Sequence, residues 1–478
     1  MRLLGVGLQL SYLGTIGIII FNKNIRNNLD NLKFRKNNVK IRKNNKFSRI
    51  IDNLKDTLSV TLSAQIMIIP LMIYHFNMIG IYFILTNILV SVIVGPIMML
   101  AIIFIITSFI NLEISNFISI FLSIGIKLFV QIANLSELPF SKIYVATPRI
   151  LSIILYYIFI LIINQIYVIY TSKYINYTQK RVKNLIALCK YKINQKKRNL
   201  QKKLNKIIKE KDIKEIYLKT YKIIFIMILI IIFNCLNTNL EINFIDVGQG
   251  DACFIITPKN KTILVDGGGS TSTTFDIGED TLLPYILDKG YVKIDYVFIS
   301  HFDQDHVGGI LSILENLKVG KIYITKQGES NENYEKFFKI IKQKKLNVQI
   351  LEAGDKVMID SLTFDILWPI EQKISENILN NNAMVMKLKY KNFSMLFTGD
   401  IEKVAEKALL DTYKDNLEVL KTTILKVAHH GSKTSTIQEF LEEVKPKIAL
   451  IGVGENNMFG HPNSEVLERL ESFRCENF

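Results

Sequence analysis

Apolar runs too long for a water-soluble domain set the first limit on what this chain can fold into. They lie near residues 3–21, 58–76, 79–110, 117–136 and 149–170, with a shorter one at 222–236. About 20 such residues cross a bilayer as one helix. A single run of that length fits the core of a large soluble protein, but six in succession do not. The first run lacks a small-residue cleavage site and further spans follow it, so it does not read as a signal peptide. Residues 1–236 are therefore expected to form an α-helical, polytopic membrane domain with about six apolar segments. Residues 237–478 have the composition of an ordinary globular domain.

Charge divides at the same place. Residues 1–236 hold 32 Lys and Arg against 8 Asp and Glu, a net of +24. Residues 237–478 hold 27 against 35, a net of −8. The overall +16 thus belongs to the first half, which excludes a soluble nucleic-acid binder with basic patches throughout. Two basic stretches are short enough to obey the positive-inside rule: 22–56, with 11 basic and 3 acidic residues, and 173–222, with 17 and 3. Both are expected in the cytoplasm, so an even number of crossings separates them. Runs 58–76, 117–136 and 149–170 supply three. Run 79–110 must then count as one crossing, either tilted or broken at Gly95-Pro96 with a re-entrant half. Asn87 and Ser91 within it suit a segment that faces protein or water. The run 222–236 carries the chain out again and places residues 237–478 outside the cytoplasm. The stretch 173–222 reads as an amphipathic cytoplasmic segment facing anionic lipid, with nucleic-acid binding as the alternative. Cys189, Cys235, Cys253 and Cys475 are isolated and form no zinc-finger or disulfide pattern.

From residue 241 the pattern changes to short strands and turns. EINFIDVGQGDACFII predicts a strand, a Gly-rich turn and a second strand. Further strands are predicted at KTILVDGGG, DYVFIS, TFDILW, AMVMKLKY, FSMLFTGD and TILKVAHHG. Helices are predicted around 280–289, 306–317, 331–345, 401–414 and 434–444. Alternation of this kind argues for an α/β sandwich.

Chemistry-bearing residues follow the strands. Asp246, Asp251, Asp266, Asp400, His429 and His430 each lie just past an apolar run. SHFDQDHVGG (300–309) places His301, Asp303, Asp305 and His306 within six residues. Imidazole and carboxylate in this H-x-D-x-D-H pattern suit Zn²⁺ or Mn²⁺. One loop can serve two ions, His301 and Asp303 holding one, Asp305 and His306 the other. Asp400 is the candidate bridge between them. Two ions about 4 Å apart activate water and neutralise charge on a phosphoryl group. Gly308-Gly309 let the following helix pack close. A lone Asp after a strand is more often a turn former, which is the reading for Asp276 and Asp295, and a lone His is more often structural, which is the reading for His75. Asp246, Asp251 and Asp266 are read as supports of the loops.

The segments VGQGDA (247–252), VDGGG (265–269), SHFDQDHVGG, FTGD (397–400), LKVAHHGS (425–432) and GHP (460–462) stand in the order found in metallo-β-lactamase-fold hydrolases. They resemble in particular the ComEC type of competence protein, which favours aspartate at the position of Asp303. GLQLSYLGTIGII (7–19), LSAQIMIIPLMIYHF (62–76) and NILVSVIVGPIM (87–98) resemble that family's membrane region. The resemblance covers nearly the whole chain. It implies a membrane channel for single-stranded DNA followed by an αββα metallo-β-lactamase-like domain. That domain would act on duplex DNA outside the cytoplasmic membrane, degrading the strand that is not imported during natural transformation.

The resemblance also implies two divalent metal ions and contact with membrane lipid and with other DNA-uptake machinery. Three departures qualify it. Relatives carry further membrane helices and an oligonucleotide-binding domain before the segment at which this chain starts, so a truncated or split gene with a separately encoded N-terminal half is expected. The chain stops soon after GHP, where relatives continue with a further strand or two, so truncation at the C-terminus and a missing final strand are also expected. Asn380, Asn381 and Asn382 stand where the fold has its usual histidine between the cluster and Asp400, so one ion is expected to be held weakly. His429 or His430 completes a coordination shell, and Lys433 and His461 are candidates to contact phosphate or the leaving group, with Asp305 and Asp400 at the reaction centre. The net −8 of the second half keeps open hydrolysis of another ester, lactone or phosphodiester. A channel remnant without catalysis is the third reading.

Overall fold

The protein is described from a computed structural model. The structure describes residues 5–31, 46–138, 141–191, 239–270, 275–326, 331–455, 457–473 and 475–477. The chain divides into two compact units, Met1–Asn234 and Cys235–Phe478. The apolar run 222–236 and residues 192–222 of the second basic stretch lie outside the described residues.

The first unit contains five described helices: α1 (Val6–Asn31), α2 (Lys46–Phe76), α3 (Phe83–Ser108), α4 (Leu112–Ala133) and α5 (Ile150–Tyr191). Among the described residues, four segments are long and apolar enough to cross a membrane: Ile51–Phe76, Phe83–Ser108, Leu112–Ala133 and Ile150–Ile169. The first apolar run is helical in α1 but is not among those four. The run 79–110 proves shorter as a helix than as a sequence. Its start is spent in β1 (Met78–Gly80), which pairs antiparallel with β2 (Lys142–Tyr144), and in a turn. The remainder is one continuous helix with Pro96 inside it, so the broken alternative does not occur.

Two contacts show how helices in this unit meet without water. A Cβ on Gly17 of α1 would lie 2.3 Å from the Ser63 carbonyl oxygen of α2, an approach that only glycine permits. Pro70 of α2 has no N–H to bond Ile66 four residues earlier. The Tyr156 hydroxyl of α5 donates to that freed Ile66 oxygen at 2.8 Å, and Tyr157 donates to the Met67 oxygen at 2.8 Å. Backbone polarity exposed by proline is satisfied by a neighbouring helix, as a low-dielectric setting requires.

The second unit holds two sheets. The first contains β3 (Glu241–Phe244), β4 (Cys253–Ile256), β5 (Thr262–Val265), β6 (Lys293–Phe298), β7 (Lys318–Thr325) and β8 (Asn347–Leu351), in that order. The second contains β9 (Lys356–Ile359), β10 (Leu362–Trp368), β11 (Val385–Tyr390), β12 (Phe393–Phe397), β13 (Ile424–Lys426), β14 (Ile448–Leu450) and β15 (Glu476–Asn477), again as sequential neighbours. Each sheet starts antiparallel and turns parallel, at β5–β6 and at β12–β13. Parallel neighbours need crossovers, and helices supply them.

Alternation along β4 sets the layers. Cys253 and Ile255 enter the core between the sheets, where Phe298 of β6 stacks on Phe364 of β10 with ring centroids 4.8 Å apart. Phe254 points the other way and meets Tyr285 of the helix Leu283–Asp288 edge-on at 6.5 Å. A second core joins Leu396, Leu425 and Ala449 of the second sheet to Leu409, Phe440 and Leu470 of the helices Lys403–Thr412, Gln438–Val444 and Ser464–Ser472. The layers run helix, sheet, sheet, helix, the expected αββα arrangement. The eight predicted strands and five predicted helices all form. Five strands (β7, β8, β9, β14 and β15) and the helix Ser464–Ser472 were not predicted. The last helix and β15 follow GHP, and β15 pairs with β14.

Candidate metal centre

The candidate ligands are delivered by the ends of β5, β6, β12 and β13. β6 runs into Ser300 and His301, and the helix Gln304–Asn316 starts just after Asp303, carrying Asp305 and His306 in its first turn. That helix lies close to the β5 turn because of glycine. A Cβ on Gly309 would fall 2.2 Å from the Gly267 oxygen, and one on Gly269 would fall 1.8 Å from the Gln304 oxygen. β12 ends in Thr398-Gly399-Asp400. After β13, His429 and His430 adopt φ of 50° and 54°, a left-handed turn that side chains with a Cβ rarely take. The turn separates the two imidazoles.

Their destinations differ. His430 is buried and its Nε2 lies 3.2 Å from Asp400 Oδ2, 3.3 Å from Asp305 Oδ2 and 3.3 Å from His306 Nε2. His306 Nε2 in turn lies 3.1 Å from Asp400 Oδ1. Asp305, His306, Asp400 and His430 thus converge through carboxylate oxygens and Nε2 atoms. His429 Nε2 stands 4.0 Å from Asp400 Oδ2, with the Asn380 amide nitrogen 3.4 Å from it. Its other face meets the His461 ring edge-on at 5.7 Å.

The backs of the converging rings are held as well. His306 Nδ1 lies 3.1 Å from Asp266 Oδ2, and Asp266 also accepts hydrogen bonds from the Ser300 amide (2.8 Å) and hydroxyl (2.7 Å). His430 Nδ1 lies 2.6 Å from the Gly452 oxygen. Such contacts fix which nitrogen faces an ion. Asp251 offers an oxygen within 4.8 Å of those from His306, Asp400 and His430, and all four residues are buried. Its oxygens lie nearest the Nδ1 atoms, at 3.7 Å from His306 and 3.9 Å from His430. Asp246 is exposed and accepts from the Gly248 amide at 3.0 Å, bracing the turn.

Lys426, the last residue of β13, escaped sequence reading. Its ammonium is fully buried, forms an ion pair with Asp251, and lies 3.4 Å from Asp400 Oδ1 and 3.0 Å from the Gly399 oxygen. Burial opposes its charge, but Asp251 and Asp400 outweigh burial and raise its pKa. The two histidines behave alike. Burial opposes their protonation, yet Asp400, with Asp266 beside His306 and Asp251 beside His430, raises both, His430 to about 9. Asp305 and Asp400 are held below the usual carboxylate range, burial being overcome by His430 and His306. Burial lowers His429 and His461 instead.

The first half of the loop is more open. His301 is buried, and its Nε2 lies 3.6 Å from Asp303 Oδ2 and has no hydrogen-bond partner. The Asn380 side-chain oxygen is also buried without a partner. A buried imidazole nitrogen and amide oxygen left unpaired are what an ion site leaves behind when protein alone is counted. The donor set therefore fits divalent metal, with two carboxylates and two imidazoles converging, and a further imidazole, a half-exposed carboxylate and an amide oxygen beside them. Lys433 is exposed and makes no ion pair with the cluster. His461 flanks His429, and Phe459 stacks on it at 5.8 Å.

Comparisons with known proteins agree with this division of the chain. Residues 1–167 match the Competence protein family and residues 246–455 match the Metallo-beta-lactamase superfamily. ComE operon protein 3 of Bacillus subtilis is 32% identical over 257 residues, covering 52% of this chain and 32% of that protein. Recombination protein 2 of Haemophilus influenzae is 31% identical over 234 residues, covering 49% of this chain and 27% of that protein. The matched residues thus span less than a third of these curated relatives. Among solved structures, the metallo-beta-lactamase fold protein YhfI of Bacillus subtilis aligns with 49% of this chain and 94% of its own, at 14% identity and a TM-score of 0.33. The chain thus joins a Competence protein segment to a Metallo-beta-lactamase superfamily domain and is similar to the ComEC-type competence proteins.

Proposed function

We propose that this chain takes part in DNA uptake across the cytoplasmic membrane and that its second unit hydrolyses phosphodiester bonds of the strand left outside. The observation that supports the chemistry most directly is the convergence of Asp305, His306, Asp400 and His430, linked by contacts of 3.1–3.3 Å. These four would hold one divalent ion, Zn²⁺ or Mn²⁺. His301, Asp303 and the Asn380 oxygen would hold a second more loosely, with Asp400 shared. Bound ions would polarise the phosphoryl oxygens and make a water nucleophilic near neutral pH. The remaining work falls to protein groups. Asp266 and the Gly452 oxygen orient the two imidazoles. Lys426 offsets the carboxylates packed behind them. His461, kept neutral by burial and with an unpartnered Nδ1, accepts a proton beside the reacting phosphate. Lys433 meets the phosphate backbone from the exposed rim.

Orientation follows from the crossings. Four apolar helices lie between the two basic stretches, an even number, which supports a multi-pass chain with both stretches in the cytoplasm. One further crossing then puts the second unit outside. The test of activity uses the full chain in detergent, stripped of metal and refilled with Mn²⁺ or Zn²⁺. Linear DNA is cleaved by the refilled protein, and Asp305→Ala is inactive. Equal cleavage by that variant, or none by the wild type, overturns the nuclease reading. The net −8 of residues 237–478 favours a second reading, a small ester or phosphodiester as substrate. Turnover of bis(p-nitrophenyl) phosphate without DNA cleavage would select it. A folded chain that takes up no metal would sink both readings.

A further inference from the structure

An acidic domain that acts on DNA must find affinity somewhere other than general electrostatics. Residues 237–478 carry 35 acidic against 27 basic residues, so phosphate contacts alone bind poorly. The loop after β14 offers a different source. Met458 and Phe459 are 92% and 62% exposed, and they are the one adjacent pair of exposed large hydrophobics among the described residues of the second unit. Water-exposed apolar side chains next to each other are unfavourable unless something covers them.

Their position is fixed. The Asn457 side-chain oxygen accepts from the Phe459 amide (3.1 Å) and the His461 amide (3.1 Å), and its nitrogen donates to the Gly454 and His461 oxygens. One asparagine thus ties the loop shut and turns residues 458 and 459 outward. One face of the Phe459 ring stacks on His461, at 5.8 Å and 26°. His461 meets His429 at 5.7 Å, and His429 lies 4.0 Å from Asp400. Two ring-to-ring steps therefore connect an exposed aromatic face to the metal cluster.

We propose that Phe459, backed by His461 and flanked by Met458, is a stacking platform for a nucleobase of the strand whose phosphate is held at the metal centre. The inference rests on the phosphodiesterase reading above. Stacking on an aromatic ring is strong for any base and needs no positive charge, so it supplies sequence-tolerant affinity where the domain's charge does not. A small phosphate ester has nothing to place there.

The test uses the full manganese-loaded chain and two substrates of equal length and charge, a 12-nucleotide oligothymidylate and its abasic counterpart. The oligothymidylate is expected to show a KM about tenfold lower. Phe459→Ala raises that KM to the abasic value, with the main effect on KM and not on kcat. Phe459→Trp restores the difference, and Phe459→Leu does not. The Trp variant adds a second readout, because the chain's single native tryptophan, Trp368, is buried. Oligothymidylate quenches the new surface emission, and the abasic strand does not. Equal KM values for the two substrates in the wild type, or a difference that survives Phe459→Ala, overturn the platform while the phosphodiesterase reading stands. Cleavage of neither substrate overturns the platform, and failure to cleave linear duplex DNA as well overturns both.

Discussion

On one side of Asp400, two imidazole nitrogens and a second carboxylate already face one another at hydrogen-bonding distance. The group formed by His301, Asp303 and Asn380 is more open: His301 Nε2 and the Asn380 oxygen have no hydrogen-bond partner, and Asp303 stands 3.6 Å from the imidazole. The contrast shows how differently the protein holds its two groups of donors. On the crowded side, the carboxylates raise the pKa of both histidines, and Lys426 adds a positive charge. On the open side, an amide offers no such pairing. The crowded side should bind metal tightly but release protons when it does. The open side should bind weakly and, with two oxygen donors to one nitrogen, prefer Mn²⁺ to Zn²⁺.

The largest effect should come from removing the fixed cation. Lys426→Met leaves the buried carboxylates of Asp251 and Asp400 unneutralised and should cost about 3–5 kcal/mol of stability. Emission of the buried Trp368 during denaturant unfolding checks this, and adding Asp251→Asn should recover a large part. Full stability in the single variant would show that the crowded side does not depend on its lysine. Next comes Asp400→Ala, which removes the shared ligand. Both ions should be lost, the tighter one weakened on the order of 100-fold, as elemental analysis after dialysis would show. Retention of one ion would mean that the two sides do not share Asp400.

A third expectation concerns pH. His430 in the metal-free protein has its pKa raised to about 9. Charged His430 therefore stabilises the metal-free fold fully below the unfolded imidazole value of about 6.5, and that contribution is lost as pH rises through about 9. Metal requires the neutral ring, so metal affinity should climb over the same window, by about tenfold per pH unit for each proton released. Calorimetry in buffers of different ionisation enthalpy counts those protons, and a count of zero would remove the proposed pairing. The smallest change sharpens the contrast. Asn380→His gives the open side a second imidazole and should tighten its ion about tenfold, raising zinc stoichiometry from one towards two.

Much of this centre could be read from the sequence because its ligand types are dense and follow strands. Four of them within residues 301–306 left little structural alternative. The choice between His429 and His430 could not be read, because it depends on two consecutive left-handed residues, and sequence gives no signal for those outside glycine. Lys426 was hidden for a different reason. In TILKV a lysine between apolar neighbours looks like the solvent side of a strand, whereas here that side faces Asp251 and Asp400. Asn380 was noted only as a place where a histidine is missing, since a neutral amide does not advertise metal binding. Strands β8 and β14 were missed because one is half exposed and the other has three residues. In the first unit, run 79–110 looked too long for a helix because apolar composition does not separate a helix from the short strand and turn before it.

The left-handed turn at His429 and His430 also sets a schedule. Its ligand lies more than 120 residues beyond His306, on the far sheet, and the two meet only when both sheets have docked. Closing a contact of such sequence separation is a late event in folding. A partly synthesised or partly folded domain would own the loop 300–309 yet lack the fourth donor. Metal capture should therefore coincide with completion of the sandwich, so a hydrolase of this design stays inert until its last third has been made and folded.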